Sequence, residues 1–221
     1  MSLILTCDFD GTLTLNDTVD AILEAFAEPE WTEVEAEWAA GRIGSRDCLR
    51  RQTALLRVPQ QDLNAFIDDI AVDPDAAGFF ADCGRLGLPV QVVSDGFDWV
   101  VRRVLARIGV RHTPIIANHL TAVGEDRWLL QFPHAASQCG SGVCKCAVVK
   151  SARKVVHIGD GRSDACVADV ADLVFAKGWL LEQRQQRGLP AIGFENFAEV
   201  RAQLADLDAL IPTPVLAQRI A

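Results

Sequence analysis

Residues 4–14 read ILTCDFDGTLT, a short apolar run that ends in two aspartates two positions apart and a Gly-Thr turn. Side chains alternate between the two faces of an extended strand, so Asp8 and Asp10 are expected to point to one side where the strand ends. Gly11 allows the backbone to turn sharply after them. Two carboxylates held this close repel unless a cation or a shared proton intervenes. The stretch therefore predicts either a Mg²⁺ site open to water and phosphate oxygens or a plain acidic strand-to-turn junction.

Composition limits the classes of protein to which this chain can belong. Its 221 residues are half apolar, enough for one full core and a small second unit, with a formal charge of −9. That charge disfavours nucleic-acid and anionic-membrane partners, and no apolar run approaches the roughly 20 residues that span a bilayer. The N-terminus lacks the features of a signal peptide, and seven cysteines without a regular framework suit a reducing compartment. We expect a cytoplasmic protein, monomeric or homodimeric.

Hydrophobic periodicity predicts the order of helices and strands. Residues 2–7 form the first strand, and residues 17–72 have helical spacing throughout, with Asp17 and Ser45 as N-caps. Helices and short apolar strands then alternate, in the order helix 75–86, strand 89–93, helix 97–108, strand 113–117, strand 154–158, helix 163–170, strand 172–175 and helix 178–187. The fold class is therefore α/β, a Rossmann-like parallel sheet flanked by helices. Residues 1–15 and 74–221 would form the core, and residues 16–73 a small inserted α-helical cap.

Topology brings distant polar residues to one edge of this sheet. Ligands of open parallel sheets bind beyond the C-terminal strand ends, where the strand order reverses. If the first strand is central, the strands at 89–93 and 154–158 flank it. Asp8, Ser94 and Asp160 would then share one rim.

Four segments in order resemble the four motifs of the haloacid dehalogenase superfamily. They are Asp8-Phe-Asp10-Gly-Thr12, Val92-Val93-Ser94-Asp95-Gly96, Lys145 within Gly142-Val-Cys-Lys-Cys146, and Val156-His-Ile-Gly-Asp160-Gly-Arg-Ser-Asp164. A single Asp-Gly strand end is common, whereas four motifs in this order are specific.

The resemblance implies a chemistry for these residues. Asp8 would be the nucleophile that forms an aspartyl-phosphate, and Asp10 the general acid and base. Mg²⁺ would be held by acidic positions: Asp8, Asp10 through its backbone carbonyl, Asp160, and Asp164 either through water or as an orienting partner. Phosphate would be bound by Thr12, Ser94, Asp95, Gly96 and Lys145.

Each assignment has a structural alternative. Lys145 is the first lysine of the chain, but it could be a solvated loop residue. Ser94 could cap a helix, and Asp164 could be an ordinary first-turn carboxylate. Asp95 stands where the family usually has a small residue, so its carboxylate must turn away from the phosphate.

Finer features point to a branch of the superfamily. A cap between the first two motifs and a hairpin at 115–131 resemble the phosphoserine-phosphatase-like branch. The cysteine-rich loop and residues 175–178 are more similar to methionine-salvage phosphatases, which act on 2-hydroxy-3-keto-5-methylthiopentenyl-1-phosphate. Phosphoserine phosphatases have a Glu where this chain has Asp17, and a carboxylate-binding Arg where the best match is Gln52.

The predicted function is hydrolysis of a small phosphorylated metabolite with Mg²⁺. The substrate would be a methionine-salvage-type sugar phosphate or, as the alternative, phosphoserine. Dehalogenation, phosphoryl transfer to a second substrate, and a catalytically silent binding or regulatory role are the other functions open to the same fold. Substrate choice would fall to cap side chains: Trp31, Trp38, Arg42, Arg46 and Gln52.

Three cysteines surround Lys145, at positions 139, 144 and 146. Clustered thiolates can bind Zn²⁺, although the spacing is not that of a zinc ribbon, and small residues packing around a phosphate loop are the alternative. The other four thiols are expected in the core: Cys7, Cys48, Cys83 and Cys166.

Overall fold

One sheet of seven strands organises the part of the chain that the structure, a computed structural model, describes: residues 3–211 apart from the side chain of Asp208. The strands are β1 (Leu3–Cys7), β2 (Val90–Phe97), β3 (Ile115–Ala122), β4 (Trp128–Gln131), β5 (Lys154–Gly159), β6 (Leu173–Ala176) and β7 (Ile192–Gly193). Their order is β4-β3-β2-β1-β5-β6-β7, and only the β3–β4 pair is antiparallel. This arrangement confirms the predicted fold class and the hairpin at 115–131.

The first strand is central, as predicted. β1 pairs in parallel with β2 on one side and with β5 on the other, so that Cys7 lies opposite both Val92 and Ile158. Both faces of such a strand are covered, which explains why it is an apolar run without alternation. The three strands end at one edge, and the strand order reverses there.

Helices cover the sheet and connect its strands. They are α1 (Thr18–Phe26), α2 (Trp31–Ala39), α3 (Ser45–Thr53), α4 (Gln60–Asp68), α5 (Ala76–Leu86), α6 (Asp98–Arg107), α7 (Lys145–Val148), α8 (Ala165–Ala168), α9 (Gly178–Gln186), α10 (Phe197–Gln203) and α11 (Leu207–Leu210). The main hydrophobic core joins β1, β2 and β5 to α5, α6 and α10. Helices α1–α4 occupy the segment predicted as the cap; its separation from the core at residues 15 and 74 stays a prediction.

Several boundaries differ from the sequence-based expectation. β2 runs on to Phe97 instead of ending at residue 93, with an irregular register between Val93 and Phe97 that bends the strand. The helix expected over 163–170 is divided into a 3₁₀ turn at Arg162–Asp164 and the short α8. Short elements such as α7 and β7 carry too few residues for periodicity to reveal them.

The two expected N-caps have different outcomes. The Asp17 carboxylate accepts hydrogen bonds from the backbone N–H groups of Val19 and Asp20, so it caps α1 as predicted. The N-cap of α3 is Gly44, and Ser45 is already the first helical residue. The Ser45 expectation is therefore wrong, and its hydroxyl has another partner.

The sequence from about residue 207, which includes Pro212 and Pro214, predicts a loosely attached tail. Leu207 and Ile211 are instead buried in the main core, at 2% and 4% exposure, because α11 packs beside the end of α10. Pro212 and Pro214, on which that expectation rested, lie outside the described residues. Over residues 3–211, no helix has the length and apolar character needed to cross a bilayer.

Replacing Phe197 tests the packing of α10 against α5. Its ring is fully buried and lies 5.0 Å from Phe79 and 5.9 Å from Phe194, between ring centroids. We expect Phe197→Ala to lower the free energy of unfolding by about 3–5 kcal/mol, because a large cavity opens. Urea denaturation measures this, with Val170→Ala, at a 58% exposed position, as the control that changes little. A loss below about 1 kcal/mol for Phe197→Ala would contradict the core described above.

Candidate active site

The ends of β1 and β5 bring two acidic segments together. The backbone N–H of Asp8 donates to the carbonyl of Ile158 at 2.9 Å, which locks the residue after β1 against the end of β5. As a result, carboxylate oxygens of Asp8, Asp160 and Asp164 lie within 4.8 Å of one another. Residues about 150 positions apart in the chain thus share one small volume at the edge of the sheet.

Lys145 lies at the centre of this group. Its side chain is 1% exposed, and its Nζ is 2.7 Å from Asp8 Oδ1 and 2.6 Å from Asp164 Oδ1. Burial acts to lower the pKa of Lys145, but the charges of Asp164 and Asp8 outweigh it and raise the pKa above its ordinary value. The ammonium is therefore a fixed positive charge against the first aspartate, not a solvated loop residue.

Each carboxylate oxygen of Asp164 faces two hydrogen-bond donors. Lys145 and His157 Nε2 contact Oδ1, at 2.6 and 3.0 Å, and the backbone N–H groups of Asp160 and Gly161 donate to Oδ2. Burial opposes ionisation, yet Lys145 and His157 hold the pKa of Asp164 well below its usual range. Four donors match the lone-pair sites of a carboxylate. Of the two predicted roles, a metal ligand through water or an orienting partner, this geometry favours the orienting partner.

His157 supports Asp164 from within β5, and sequence analysis did not single it out. Burial lowers the pKa of His157, so the ring is neutral; Nε2 faces Asp164 and Nδ1 lies 2.9 Å from the Thr6 hydroxyl. A neutral ring that donates from Nε2 and accepts at Nδ1 satisfies both contacts. The only signal in the sequence is a polar residue in an otherwise apolar strand.

Asp160 keeps part of its surface exposed. Thr12 Oγ1 donates to Asp160 Oδ1 at 2.5 Å, and burial, with the charge of Asp164, raises the pKa of Asp160 to about 6. Gly11 has a φ of +67°, and a Cβ there would lie 2.5 Å from Asp160 Oδ2, so only glycine fits the turn. Thr12, predicted to bind phosphate, is here a hydrogen-bond donor to Asp160.

The carboxylates present fit a divalent cation. Burial and the neighbouring Asp164 raise the pKa of Asp8 well above its ordinary value, and Lys145 compensates only in part. Asp8 and Asp160 thus carry acceptor oxygens that a further positive charge would stabilise, and hard carboxylate oxygens suit such an ion. Because Asp164 is saturated, Asp8 and Asp160 are the two side chains best placed to hold it.

Asp10 occupies a different environment from Asp8. The Thr18 N–H and hydroxyl donate to its Oδ1, at 3.0 and 2.5 Å, and Ser94 Oγ donates to Oδ2 at 3.2 Å. Burial, followed by the charge of Asp17, raises the pKa of Asp10 to about 7. A carboxyl group with this pKa can both donate and accept a proton near neutral pH. The sequence alone does not identify Thr18, because a threonine at this position is typical of an ordinary helix start.

The side chains of the second motif point in two directions, with Ser94 facing Asp10 and Asp95 facing away from it. Ser94 is fully buried and accepts a hydrogen bond from the Gly96 N–H at 2.8 Å while donating to Asp10. A Cβ on Gly96 would lie 2.4 Å from Asp10 Oδ2, so a larger residue would displace that carboxyl group. Ser94 and Gly96 thus lie beside Asp10, and their binding of phosphate stays a prediction.

The Asp95 carboxylate is engaged elsewhere. Ser45 Oγ donates to its Oδ2 at 2.5 Å, and the Val143 N–H donates to its Oδ1 at 2.7 Å. Asn118, which sequence analysis did not single out, donates to the Asp95 carbonyl at 2.5 Å. The carboxylate therefore connects the start of α3 to the loop before Lys145, as expected if it turns away from a phosphate.

A cavity of about 220 Å³ opens above these residues, between the sheet edge and helices α1–α3. Its base contains Asp8, Asp10 and Asp160, and its opposite wall contains Trp38, Leu49 and Gln52 among others. Of the five cap side chains expected to choose substrate, Trp38 and Gln52 line it. Within the described residues, Trp31, Arg42 and Arg46 are not part of its lining.

Acidic side chains surround the upper part of this cavity. Asp17, Asp20 and Glu35 line it, and Gln52, only 2% exposed, donates from Nε2 to Glu35 at 2.9 Å. Burial, then Asp17 and Glu35, raises the pKa of Asp20 to about 7. Among the described lining residues the one basic side chain is Arg162, whose guanidinium lies 5.1 Å from the Trp179 ring centroid.

Comparison with known proteins identifies the family. Residues 5–169 match the haloacid dehalogenase-like hydrolases. A protein of Bacillus pumilus (strain SAFR-032), named 2-hydroxy-3-keto-5-methylthiopentenyl-1-phosphate phosphatase, is 31% identical over 209 residues, covering 90% of each chain. One of the same name from Geobacillus kaustophilus (strain HTA426) is 31% identical over 220 residues, covering 95% of this chain and 98% of its own.

Solved structures agree in fold. A substrate-bound phosphoserine phosphatase superposes with a TM-score of 0.66 at 22% identity, covering 90% of this chain and 96% of its own. The family match extends from within β1 to the end of α8, and so includes all four predicted motifs. The chain belongs to the haloacid dehalogenase-like hydrolase family.

Proposed function

We propose that this chain is a Mg²⁺-dependent phosphatase that hydrolyses a small phosphomonoester through an aspartyl-phosphate. The observation that carries the proposal is the convergence of Asp8 and Asp160 at the floor of one cavity, with the buried Lys145 in contact with Asp8. A nucleophile, a fixed cation and a second carboxylate in contact are what phosphoryl transfer to an aspartate requires.

In the first step, the Asp8 carboxylate attacks phosphorus and the bond from phosphorus to the leaving oxygen breaks. Lys145 holds one oxygen of Asp8 and so fixes the orientation of the carboxylate. Because its pKa is raised to about 7, Asp10 is protonated in a fraction of the protein molecules near neutral pH. This form gives its proton to the leaving oxygen. Ser94 and the N–H groups that follow it would donate to the phosphate oxygens, in place of the contacts of Ser94 with Asp10 and Gly96.

In the second step, Asp10 takes a proton from water as the water oxygen attacks phosphorus. The bond from phosphorus to Asp8 then breaks and inorganic phosphate leaves, which restores both carboxyl groups. A Mg²⁺ ion held by Asp8 and Asp160, with the predicted Asp10 carbonyl, would offset the repulsion between the anionic nucleophile and the anionic substrate. Asp164 positions Lys145 and the turn that carries Asp160.

The charge of the cavity supports an uncharged leaving group over phosphoserine. Asp17, Asp20 and Glu35 surround the space beyond the phosphate, and Gln52 holds Glu35 there. A substrate carboxylate would meet these acids, and the one guanidinium among the described lining residues, that of Arg162, lies over the Trp179 ring. The 2-hydroxy-3-keto-5-methylthiopentenyl chain in the relatives' name has no carboxylate, and we propose a substrate of that class. A silent binding protein would have no need of the buried Lys145–Asp8 pair.

Replacing Asp8 by asparagine removes the nucleophile while keeping its shape. We expect Asp8→Asn to lower the turnover of p-nitrophenyl phosphate with Mg²⁺ by about a hundredfold or more, or about 2.7 kcal/mol of barrier. Asp69→Asn makes the same chemical change at an exposed position at the end of α4 and should leave the rate unchanged. Wild-type turnover in Asp8→Asn would rule out the aspartyl-phosphate mechanism.

Removal of divalent ions tests the cofactor. Dialysis against EDTA should abolish turnover, because Asp8 and Asp160 then face the phosphate without added positive charge. Returning Mg²⁺ should restore the rate, and the larger Ca²⁺ should not, since it favours more ligands and looser geometry. The fold, followed by circular dichroism, should not change. An enzyme that remains fully active in EDTA has no need of the ion.

The ratio of activities on two substrates tests the effect of the acidic lining residues Asp17, Asp20 and Glu35. We expect phosphoserine to have a kcat/KM about a hundredfold below that of the relatives' substrate, since a like charge about 6 Å away costs about 3 kcal/mol at an effective dielectric constant of about 20. Glu35→Gln should narrow this gap, because it removes one charge and still accepts from Gln52. Glu33→Gln, on the exposed side of α2, is the matched control. Equal rates on both substrates in the wild type would refute the assignment.

A further inference from the structure

Four thiols form a group beside Lys145. Cys144 Sγ and Cys146 Sγ are 3.5 Å apart, Cys139 is hydrogen-bonded to Cys144, and Cys146 is hydrogen-bonded to Cys166. Cys166, expected in the core, is only partly buried and is the fourth member of the group. All four are free thiols, and none has a role in the mechanism above.

The sulfurs contact one another in pairs instead of surrounding one point. Within residues 3–211, no three of them lie within 4.8 Å of one another, whereas the three acidic groups of the active site do. A tetrahedral Zn²⁺ site needs all its ligands around a single centre. A disulfide needs only two neighbouring sulfurs, so the arrangement favours thiol oxidation over metal binding.

Cys139 and Cys144 are the pair best suited to react. Cys139 is partly exposed, and although burial acts to raise its pKa, hydrogen bonds from the Ser141 hydroxyl and N–H lower it below the ordinary value. Burial raises the pKa of Cys146 to about 12 and that of Cys166 above its ordinary value as well. Because the thiolate is the reactive form, Cys139 is the thiol that an oxidant meets first.

The loop that carries this pair is built into the active site. Cys144 is the N-cap of α7 and immediately precedes Lys145, and the Val143 N–H donates to Asp95. The Gly140 carbonyl accepts from the backbone N–H of Arg46 at the start of α3. Drawing Cys144 towards Cys139 must therefore move the backbone that positions the Lys145 ammonium.

We propose that Cys139 and Cys144 are a peroxide-sensitive modification site, whose disulfide draws Lys145 away from Asp8 and stops phosphate hydrolysis. The effect on catalysis rests on the proposed function, whereas formation of the disulfide does not. The site is reversible, because a dithiol reductant returns both thiols and with them the position of Lys145.

Hydrogen peroxide supplies the oxidising equivalents. The Cys139 thiolate attacks one peroxide oxygen, the O–O bond breaks, and the departing hydroxide takes up a proton to give water, leaving Cys139 as a sulfenic acid. The Cys144 thiol then attacks the Cys139 sulfur. The S–S bond forms as the S–O bond breaks, and the second hydroxide leaves with the thiol proton as water. Two electrons from the pair of thiols reduce one peroxide.

Mass spectrometry and activity measurements on the full chain test the site together. After hydrogen peroxide, the intact mass should fall by two hydrogens, and peptide mapping without reductant should link Cys139 to Cys144. Turnover of p-nitrophenyl phosphate with Mg²⁺ should fall about a hundredfold, the size expected when one charged donor to the phosphate is lost. Dithiothreitol should restore both the mass and the rate.

Single substitutions distinguish the roles of Cys139 and Cys144 from those of the other cysteines. Cys139→Ser should keep its turnover and form no disulfide in peroxide, while Cys146→Ser and the distant Cys83→Ser should respond like the wild type. Ser141→Ala should slow the oxidation, because the thiolate loses its hydrogen-bond donor. A Cys144–Cys146 linkage, protection by Cys146→Ser, or zinc in the purified protein would each overturn the proposal. Because the mass readout needs no catalysis, an inactive protein would refute the phosphatase without hiding the disulfide.

Discussion

The buried ammonium of Lys145, held between two carboxylates, is the interaction on which the rest of the site depends. An isolated ammonium is costly to bury, and pairing with Asp8 and Asp164 at 2.7 and 2.6 Å offsets this cost. These residues come from β1, from the start of α7 and from the turn after β5. Removing one partner of such a group typically costs about 3–5 kcal/mol, because an uncompensated charge stays behind. The position of α7 against the ends of β1 and β5 thus depends on the same contact that defines the active site.

The same group explains why the proposed mechanism needs a further cation. One lysine cannot neutralise Asp8, Asp160 and Asp164, and the excess negative charge, with burial, raises the pKa of Asp8 and takes that of Asp160 to about 6. A phosphate would add more negative charge. Only another positive charge allows the nucleophile to stay ionised while its anionic substrate approaches. The destabilising excess of carboxylates would therefore favour a bound metal ion, and the positive charge of that ion would in turn admit an anion.

Topology explains how much of this was predictable. Asp8, Ser94 and Asp160 each follow an apolar strand, and parallel strands end at one edge, so their convergence follows from the order of elements. The hydrogen-bond partners of those residues do not follow from that order. Ser45 looks like an N-cap because serine is common there, but its hydroxyl donates to Asp95, 50 positions away. His157 likewise gains its role only when Thr6 and Asp164 lie on either side of its ring. Hydrogen bonds between distant segments leave no periodic trace in the sequence.

Asp95, the departure from the family motif, has a structural explanation. Where a small residue is usual, its carboxylate accepts from Ser45 at the start of α3 and from Val143 in the loop before Lys145. Burial raises the pKa of Asp95, and these donors compensate for the loss of water. Helix α3 carries Gln52 on the cavity wall, and the loop positions Lys145 against Asp8. Because one carboxylate accepts hydrogen bonds from both segments, movement of α3 on the cavity wall is coupled to the loop before the lysine that contacts Asp8.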